Sequence, residues 1–317
     1  MEAESPMQAS PEPNVTPAGA CALCGGRAHR SVFPGALPWV VDCEGCGLRR
    51  SEPQPTDDEL HAIYNEHYYE QFGFVEGEHS HDQGLARTKR ATYASLLSVA
   101  RPHFGLSGGG LSGARRPRLL DVGCGLGFSL FAARDAGFDA VGLDPLAPTD
   151  PKARPERTIL RGSIETFQNP GEPFDVVSMV DVIEHVRDPV ATLRAVERLL
   201  APRGLVIVAT NDCSSRGAEV LGPRWVHYHR AHLFFFTKDT LARTAEKAGL
   251  DVIAVEQAHR VYNLEYVASI LARGTNFELA ARVSKGLLGA VPGPLLRAAW
   301  PKVPEGIVLV ARSPRTR

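Results

Sequence analysis

Continuous apolar runs alternate with helical apolar faces along the second two thirds of the chain. Residues 118–122 and 140–143 are nearly unbroken apolar runs, the pattern of strands covered on both faces in a parallel sheet. Further runs at 158–160, 174–181, 204–210, 250–255 and 305–311 bring the expected strands to seven, with 174–181 the fourth and central one. Helical stretches fall between them: 128–136, stopped by Gly137; one that Asp188 caps and Pro189 opens; and one that Thr237 caps and Gly249 ends. Upstream, Leu85, Lys89, Tyr93, Leu96, Leu97 and Ala100 mark one mostly apolar helical face. This alternation predicts an α/β fold, a doubly wound sheet with helices on both faces.

The first of these strands runs into Asp121-Val122-Gly123-Cys124-Gly125-Leu126-Gly127-Phe128. Glycines at alternate positions let the backbone turn sharply and approach a ligand closely. A dinucleotide turn, G-x-G-x-x-G, would need its third glycine at position 128, which is Phe128. The spacing present is D-x-G-x-G-x-G, and the leading carboxylate suits a cofactor whose nearest group is an ammonium, as in S-adenosylmethionine. Asp144 ends the next strand 17 positions after Gly127, where a doubly wound fold places a carboxylate on ribose hydroxyls.

Cys21-x-x-Cys24 and Cys43-x-x-Cys46 form two knuckles separated by 18 residues, each followed by glycine. Such spacing is that of a four-cysteine structural zinc site, in which Cys21, Cys24, Cys43 and Cys46 are the ligands. Disulfides are disfavoured in a reducing compartment, and a redox C-x-x-C does not normally come as a matched pair. The chain therefore divides into a disordered, proline-rich tail (1–20), a zinc ribbon (21–52), a helical lid and flexible loop (53–117), and the sheet domain (118–317). The lid opens with a helix from Thr56-Asp57-Asp58-Glu59 through Leu60, Ile63 and Tyr64, followed by Tyr68, Tyr69, Phe72 and Phe74. Residues 105–117 are Gly/Ser-rich and read as a loop, and about 259–304 as an insertion before the last strand.

On these motifs, residues from about 119 to 255 resemble the class I S-adenosylmethionine-dependent methyltransferases. The run Asp181-Val182-Ile183-Glu184-His185-Val186, followed by Asp188-Pro189, resembles the small-molecule branch that includes the ubiquinone-pathway O-methyltransferases. The resemblance implies a Rossmann-like seven-stranded sheet whose last strand returns antiparallel at the sheet's edge. It also implies cofactor contacts from Asp121, Gly123, Gly125, Gly127 and Asp144, from Ser163 and Ile164 around the adenine, and from Asp181. Family members commonly carry an acidic residue where this chain has Ser163, and an uncharged acceptor is weaker there. Relatives with such a ribbon carry a tyrosine-rich segment that folds over the cofactor, which makes Tyr68 or Tyr69 a contact, against a packing role for those aromatics.

The loop 224–236 holds three histidines and five aromatic residues, in the place where family members build the wall of the acceptor site. Histidine titrates near neutral pH, so His229 and His232, with His185 at the mouth of the pocket, are the candidate bases for drawing a proton from the acceptor. A packing role is the alternative for His232, and a structural turn for Glu184-His185. A metal site from His227 and His229 lacks an evident third ligand.

The expected activity is methyl transfer from S-adenosylmethionine to a small molecule, to oxygen before carbon or nitrogen. Two alternatives remain open: methylation of RNA or protein with the ribbon as reader, for which Arg27, Arg30, Arg49 and Arg50 would supply the charge, and a non-catalytic cofactor-binding scaffold. The formal net charge of -1 gives no overall pull toward nucleic acid or anionic lipid. No apolar stretch is long enough to span a bilayer and no secretory signal opens the chain, which predicts a cytoplasmic protein. The stretch 285–302, with basic residues around an apolar, proline-broken middle, could pack on its own domain, cap a hydrophobic acceptor or touch a membrane surface. The acceptor and the oligomeric state are not encoded in any motif.

Overall fold

The computed structural model describes residues 19–65, 79–104, 115–147, 158–169, 171–263, 295 and 303–316, without the side chains of 79–86. Tyr68, Tyr69, Phe72, Phe74 and nearly all of the stretch 285–302 lie outside the described residues.

The chain begins with a small antiparallel meander, β1 (His29–Phe33), β2 (Leu37–Cys43) and β3 (Arg49–Ser51). Next comes α1 (Asp57–Ile63), where Thr56 forms a capping box: Glu59 N–H donates to Thr56 Oγ1, and Thr56 N–H to Glu59 Oε2. The long helix α2 (His79–Ala100) leads to the large sheet.

That sheet comprises β4 (Arg118–Val122), β5 (Asp139–Asp144), β6 (Ile159–Arg161), β7 (Phe174–Val180), β8 (Leu200–Asn211), β10 (Asp251–Arg260) and β11 (Val303–Arg312). Its order is β10-β11-β8-β7-β4-β5-β6, so β7 is central and flanked by parallel neighbours on both sides. The helices α3 (Phe128–Asp135), α4 (Pro189–Leu199), α5 (Arg216–Leu221) and α6 (Lys238–Lys247) fill the crossovers. Asp188 caps α4 by accepting from Ala191 N–H, with Pro189 at the first helical position, and Thr237 caps α6. Tyr93, Leu96 and Leu97 of α2 and Leu130 and Ala133 of α3 pack on one face of the sheet. Leu193 and Val196 of α4 and Leu241 and Ala245 of α6 pack on the other, in a core that also takes in Cys21, Leu23, Cys43 and Leu48 of the meander.

Two features correct the expected arrangement. The last strand, β11, is antiparallel but does not lie at the edge: it pairs with β8 on one side and β10 on the other. The burial explains this, because every residue from Ile307 to Ala311 is fully buried, which demands cover on both faces and both edges. Strand β10, with a mixed burial pattern and an exposed Glu256, takes the edge instead. The second feature is β9 (Phe234–Phe235), which leaves the large domain to become the fourth strand of the meander, paired antiparallel with β3.

Met179, in the central strand, is fully buried, whereas Val220 on α5 is 86% exposed. Met179→Ala is expected to cost about 2–5 kcal/mol of unfolding free energy, and Val220→Ala less than about 0.5 kcal/mol, by urea denaturation followed at both positions.

Candidate functional site

The site is built where β4, β5 and β7 end side by side. The turn after β4 is held by Gly123 N–H donating to Leu143 O at 2.7 Å, and Gly123, Gly125 and Gly127 all have positive φ. Gly123 has no room for a side chain, since a Cβ there would lie 2.3 Å from Val182 Cγ2. Gly127, at φ 73°, begins α3. The turn's amides approach Asp144, whose Oδ2 accepts from Gly125 N–H and whose Oδ1 accepts from Leu146 N–H, both at 2.8 Å.

Asp121 is buried at the end of β4 and surrounded by hydroxyls. Ser178 Oγ donates at 2.7 Å, Ser129 Oγ donates to the second oxygen, and Tyr93 OH lies at 3.4 Å from Asp121 and 2.5 Å from Ser178. Burial lifts the Asp121 carboxyl to about 6, and the hydroxyl donors oppose that rise. Of the two residues expected near an adenine, Ile164 is buried and Ser163 half-buried, with Ser163 Oγ 3.2 Å from Thr166 Oγ1.

At the end of β7, Asp181 adopts φ 58°, the left-handed region a non-glycine residue enters only when held. Arg260 holds it through a bidentate pair, with Nη1 2.7 Å from Oδ2 and Nη2 on Oδ1. Burial opposes ionisation of Asp181, but the guanidinium outweighs it and keeps the carboxyl well below the usual range. Three residues on, Glu184 is 1% exposed, and neither carboxylate oxygen has a hydrogen-bond partner among the described residues. Burial, followed by the charge of Asp181, pushes Glu184 up to about 8, so the side chain is mostly neutral at pH 7.

The histidines expected from two separate stretches, the 181–186 run and the 224–236 loop, meet here. Ring centroids of His185 and His232 are 4.6 Å apart, those of His229 and His232 3.8 Å, and His227 stacks parallel to His232 at 6.0 Å. His185 Nδ1 lies 2.9 Å from Ala231 O and 2.6 Å from Tyr64 OH. Burial, then the neighbouring imidazoles, lowers the affinity of His229 and His232 for a proton, and burial lowers that of His185. All three are therefore neutral at pH 7. His232 is buried as a packing residue would be, yet it sits at the centre of the cluster. His227 turns away to Glu305 Oε1 at 3.3 Å, and Tyr262 OH donates to the same carboxylate. The sequence reading missed Arg260, Glu305 and Tyr262. Arg260 and Tyr262 fall at the start of the expected insertion and Glu305 just after it, and no local spacing ties them to the 181–185 run.

Two groups among the described residues bring enough ligand atoms together that they could hold a metal ion. The four knuckle thiols converge, with Cys21 Sγ 3.5 Å from Cys46 Sγ and Cys24 Sγ 3.4 Å from Cys43 Sγ. A tetrahedral ion with bonds of about 2.3 Å would set the sulfurs about 3.8 Å apart, a small expansion of this set. Gly25 and Gly47 share φ 76°, so the two knuckles turn alike. The second group is Glu184, His185 and His232, whose ligand atoms lie within 4.8 Å of one another. It is not the His227 and His229 pair that the sequence brought to mind, because the loop turns at 225–232 instead of running extended.

Arg260→Met would strand Asp181 in its held conformation. We expect a loss of about 3 kcal/mol at pH 7, measured by urea denaturation. The folded-state pKa of Asp181 is depressed, so its contribution is present above the unfolded value near 4 and is lost as pH falls below that. The difference between wild type and variant is therefore expected to shrink from about pH 4 downward.

Residues 90–255, more than half of the chain, match the family described as a methyltransferase domain. The ubiquinone biosynthesis O-methyltransferase of Cereibacter sphaeroides is 35% identical over 160 residues, which cover 46% of this chain and 64% of that protein. That of Methylococcus capsulatus is 30% identical over 204 residues, covering 57% of this chain and 81% of that protein. Among solved structures, the 1,6-didemethyltoxoflavin-N1-methyltransferase of Burkholderia thailandensis superposes with a TM-score of 0.49 at 15% identity, over 85% of this chain and 95% of that one. No helix among the described residues is long and apolar enough to cross a membrane. With its glycine turn, its paired strand-end carboxylates and this match, the chain, which spans just under two thirds of the length of the first of these relatives, belongs to the methyltransferase domain family.

Proposed function

We propose that the chain methylates an oxygen of a small molecule held between the carboxyl end of β7 and the 225–233 loop. The observation that carries this reading is the convergence of His185, His229 and His232 beside Glu184, close to the glycine turn through Val182. The relatives named as ubiquinone biosynthesis O-methyltransferases support oxygen as the acceptor atom.

The residues present fit the cofactor. The turn's glycines take left-handed φ values, and two carboxylates, Asp121 and Asp144, flank it to receive an ammonium and a ribose. Asp181, Ser163 and Ile164 complete the set we assign to cofactor binding. When bound, the cofactor supplies a methyl group on a sulfonium that is already a good leaving group. The chain's own contribution is then to orient the acceptor oxygen in line with that methyl and to exclude water. His229 and His232, neutral at pH 7, are placed to accept the acceptor's proton at a ring nitrogen. The four thiols form a closed set without an open position, and we assign them to structural zinc.

One further observation favours an added component. The oxygens of buried Glu184 make no hydrogen bond among the described residues, and the hydrogen bond at His185 Nδ1 leaves Nε2 as the ligating nitrogen, the usual arrangement around a metal-bound histidine. Glu184, His185 and His232 would hold a divalent cation, which would supply Lewis-acid activation of an acceptor oxygen and would leave the proton to His229 alone. Metal analysis of purified protein would then give two equivalents, falling to one in Glu184→Gln; one equivalent in both removes this component. The reader alternative is disfavoured by the ribbon's arginines: Arg49 is tied to Asp42 and Arg50 is 2% exposed, leaving Arg27 and Arg30 facing solvent.

Calorimetry with S-adenosylhomocysteine is the first test: binding by the wild type and its loss in Asp144→Ala are expected, and no binding by folded protein would sink the reading. Because Asp121 must be ionised to attract the ligand's ammonium, affinity is expected to fall by up to about tenfold per pH unit below about pH 6. His229→Ala and His232→Ala are expected to lower turnover of a screened acceptor by about 10²–10⁴ with cofactor binding intact. Normal turnover in both would remove the loop from the mechanism.

A further inference from the structure

The loop that carries the three histidines meets its own domain mainly at one side, where Leu233 N–H and Phe234 N–H donate to Glu184 O, His185 Nδ1 lies against Ala231 O and His227 reaches Glu305. Between Trp225 and Leu233 it consists of successive turns: Tyr228 N–H donates to Trp225 O, His229 N–H to His227 O and His232 N–H to His229 O. Its regular pairing begins with β9, which is two residues long, and that strand pairs with β3 of the cysteine meander, Arg49 opposite Phe235 and Arg50 opposite Phe234. On its other side, Phe236 touches β8's exit through Cys213 N–H to Phe236 O at 2.9 Å. A two-residue strand has too few hydrogen bonds to hold a register by itself.

The meander supplies what is missing. Ser51, fully buried, donates from Oγ to His232 O at 2.8 Å and from its amide to Leu233 O at 2.9 Å. The Arg49 guanidinium bridges Asp42, at 2.8 and 3.1 Å, and Tyr228 OH, at 2.7 Å. Phe33 meets the Tyr228 ring edge-on at 5.3 Å, and Arg230 lies over Trp39 while donating to Pro53 O at 3.0 Å. Apolar packing follows the same lines, since Val40 of β2 shares a buried cluster with Trp225, Tyr228 and Phe235. On the opposite side, Lys247 of α6 donates to Leu23 O in the first knuckle, and Arg243 to Cys46 O in the second. The knuckles are thus clamped to the large domain while β3 carries the loop.

We infer that the four-cysteine meander is a positioning element of the acceptor site, with Ser51 and Arg49 as the residues that set the backbone of His232 and the course of the loop before it. This rests on the reading of 225–233 as the acceptor wall. A nucleic-acid or protein reader would keep its arginines and its sheet edge free, whereas here Arg49 and β3's edge are spent on the loop. The meander is also too small to sustain a hydrophobic core alone, so the thiol cluster on one side and β9 on the other form one supported unit.

The test is amide hydrogen exchange on the full, zinc-loaded chain with two variants. Arg49→Met/Ser51→Ala leaves all four thiols in place, and Cys24→Ser weakens the cluster itself. In both, exchange over 228–236 is expected to rise by about fivefold or more, the loss of about one net hydrogen bond. Exchange over 119–127 and affinity for S-adenosylhomocysteine are expected to stay within about twofold of wild type, because the glycine turn is built by other elements. The imidazole nitrogen resonances of His232 are expected to shift with the exchange, which a purely stabilising role would not produce. Unchanged exchange at 228–236 in the double variant would overturn the inference, as would an equal rise at 119–127. If Cys24→Ser fails to fold, the double variant decides alone. None of these readouts uses methyl transfer, so failure of the acceptor reading, seen in the His229 and His232 variants, remains separate from failure of this one.

Discussion

The contact on which the site depends is Val182 lying against the bare Cα of Gly123. It joins the end of the central strand β7 to the turn after β4, and it exists because position 123 has no side chain and a left-handed φ. A methyl group there would stand 2.3 Å from Val182, and the backbone would have to separate. Separation would move the glycine amides away from Asp144 and shift the 181–185 run, so one missing Cβ sets both halves of the site. The parallel register of β4 against β5 and β7 brings these ends to a common level, and the turn uses that level.

Three carboxylates follow from that arrangement, and each has a different environment. Asp121 is stabilised by hydroxyls and Asp181 by a guanidinium, whereas the oxygens of Glu184 make no hydrogen bond among the described residues and burial outweighs the attraction of Arg260. The order of their proton affinities follows: Asp181 lowest, Asp121 near 6, Glu184 near 8. Charge is therefore kept where a cationic cofactor would sit and withheld where an acceptor would be deprotonated. A second ionised carboxylate beside Asp181 would be costly, so Glu184 stays neutral until a proton acceptor or a cation changes the balance.

Much of this was legible in the chain itself. Strands β4, β5, β7 and β8 announce themselves because burial on both faces forces unbroken apolar runs, and the caps Asp188 and Thr237 mark their helices because each side-chain oxygen satisfies an amide three residues on. The cysteine knuckles and the glycine turn were legible through spacing alone. What escaped were pairings between distant residues. Arg260 meets Asp181 from 79 positions away, and nothing in a strand-end arginine names its partner. The position of β11 inside the sheet escaped for a related reason: burial on both faces predicts a strand, but only comparison with the more polar β10 shows which of the two can face water at the edge.

The least legible element, β9, explains the architecture best. Phe234-Phe235-Phe236 reads as core ahead of a helix, and Phe234 and Phe236 do enter the main core while Phe235 packs with Val40, Trp225 and Tyr228. This alternation is that of a strand with both faces buried, and such a strand needs an edge to pair with. The large sheet contributes one isolated bridge, Asp212 to Phe236, and its edge strands β10 and β6 do not pair with β9. The meander offers β3. A loop rich in neutral histidines has little hydrogen bonding of its own, so the same exposed edge that would endanger a free ribbon becomes the support that the loop lacks.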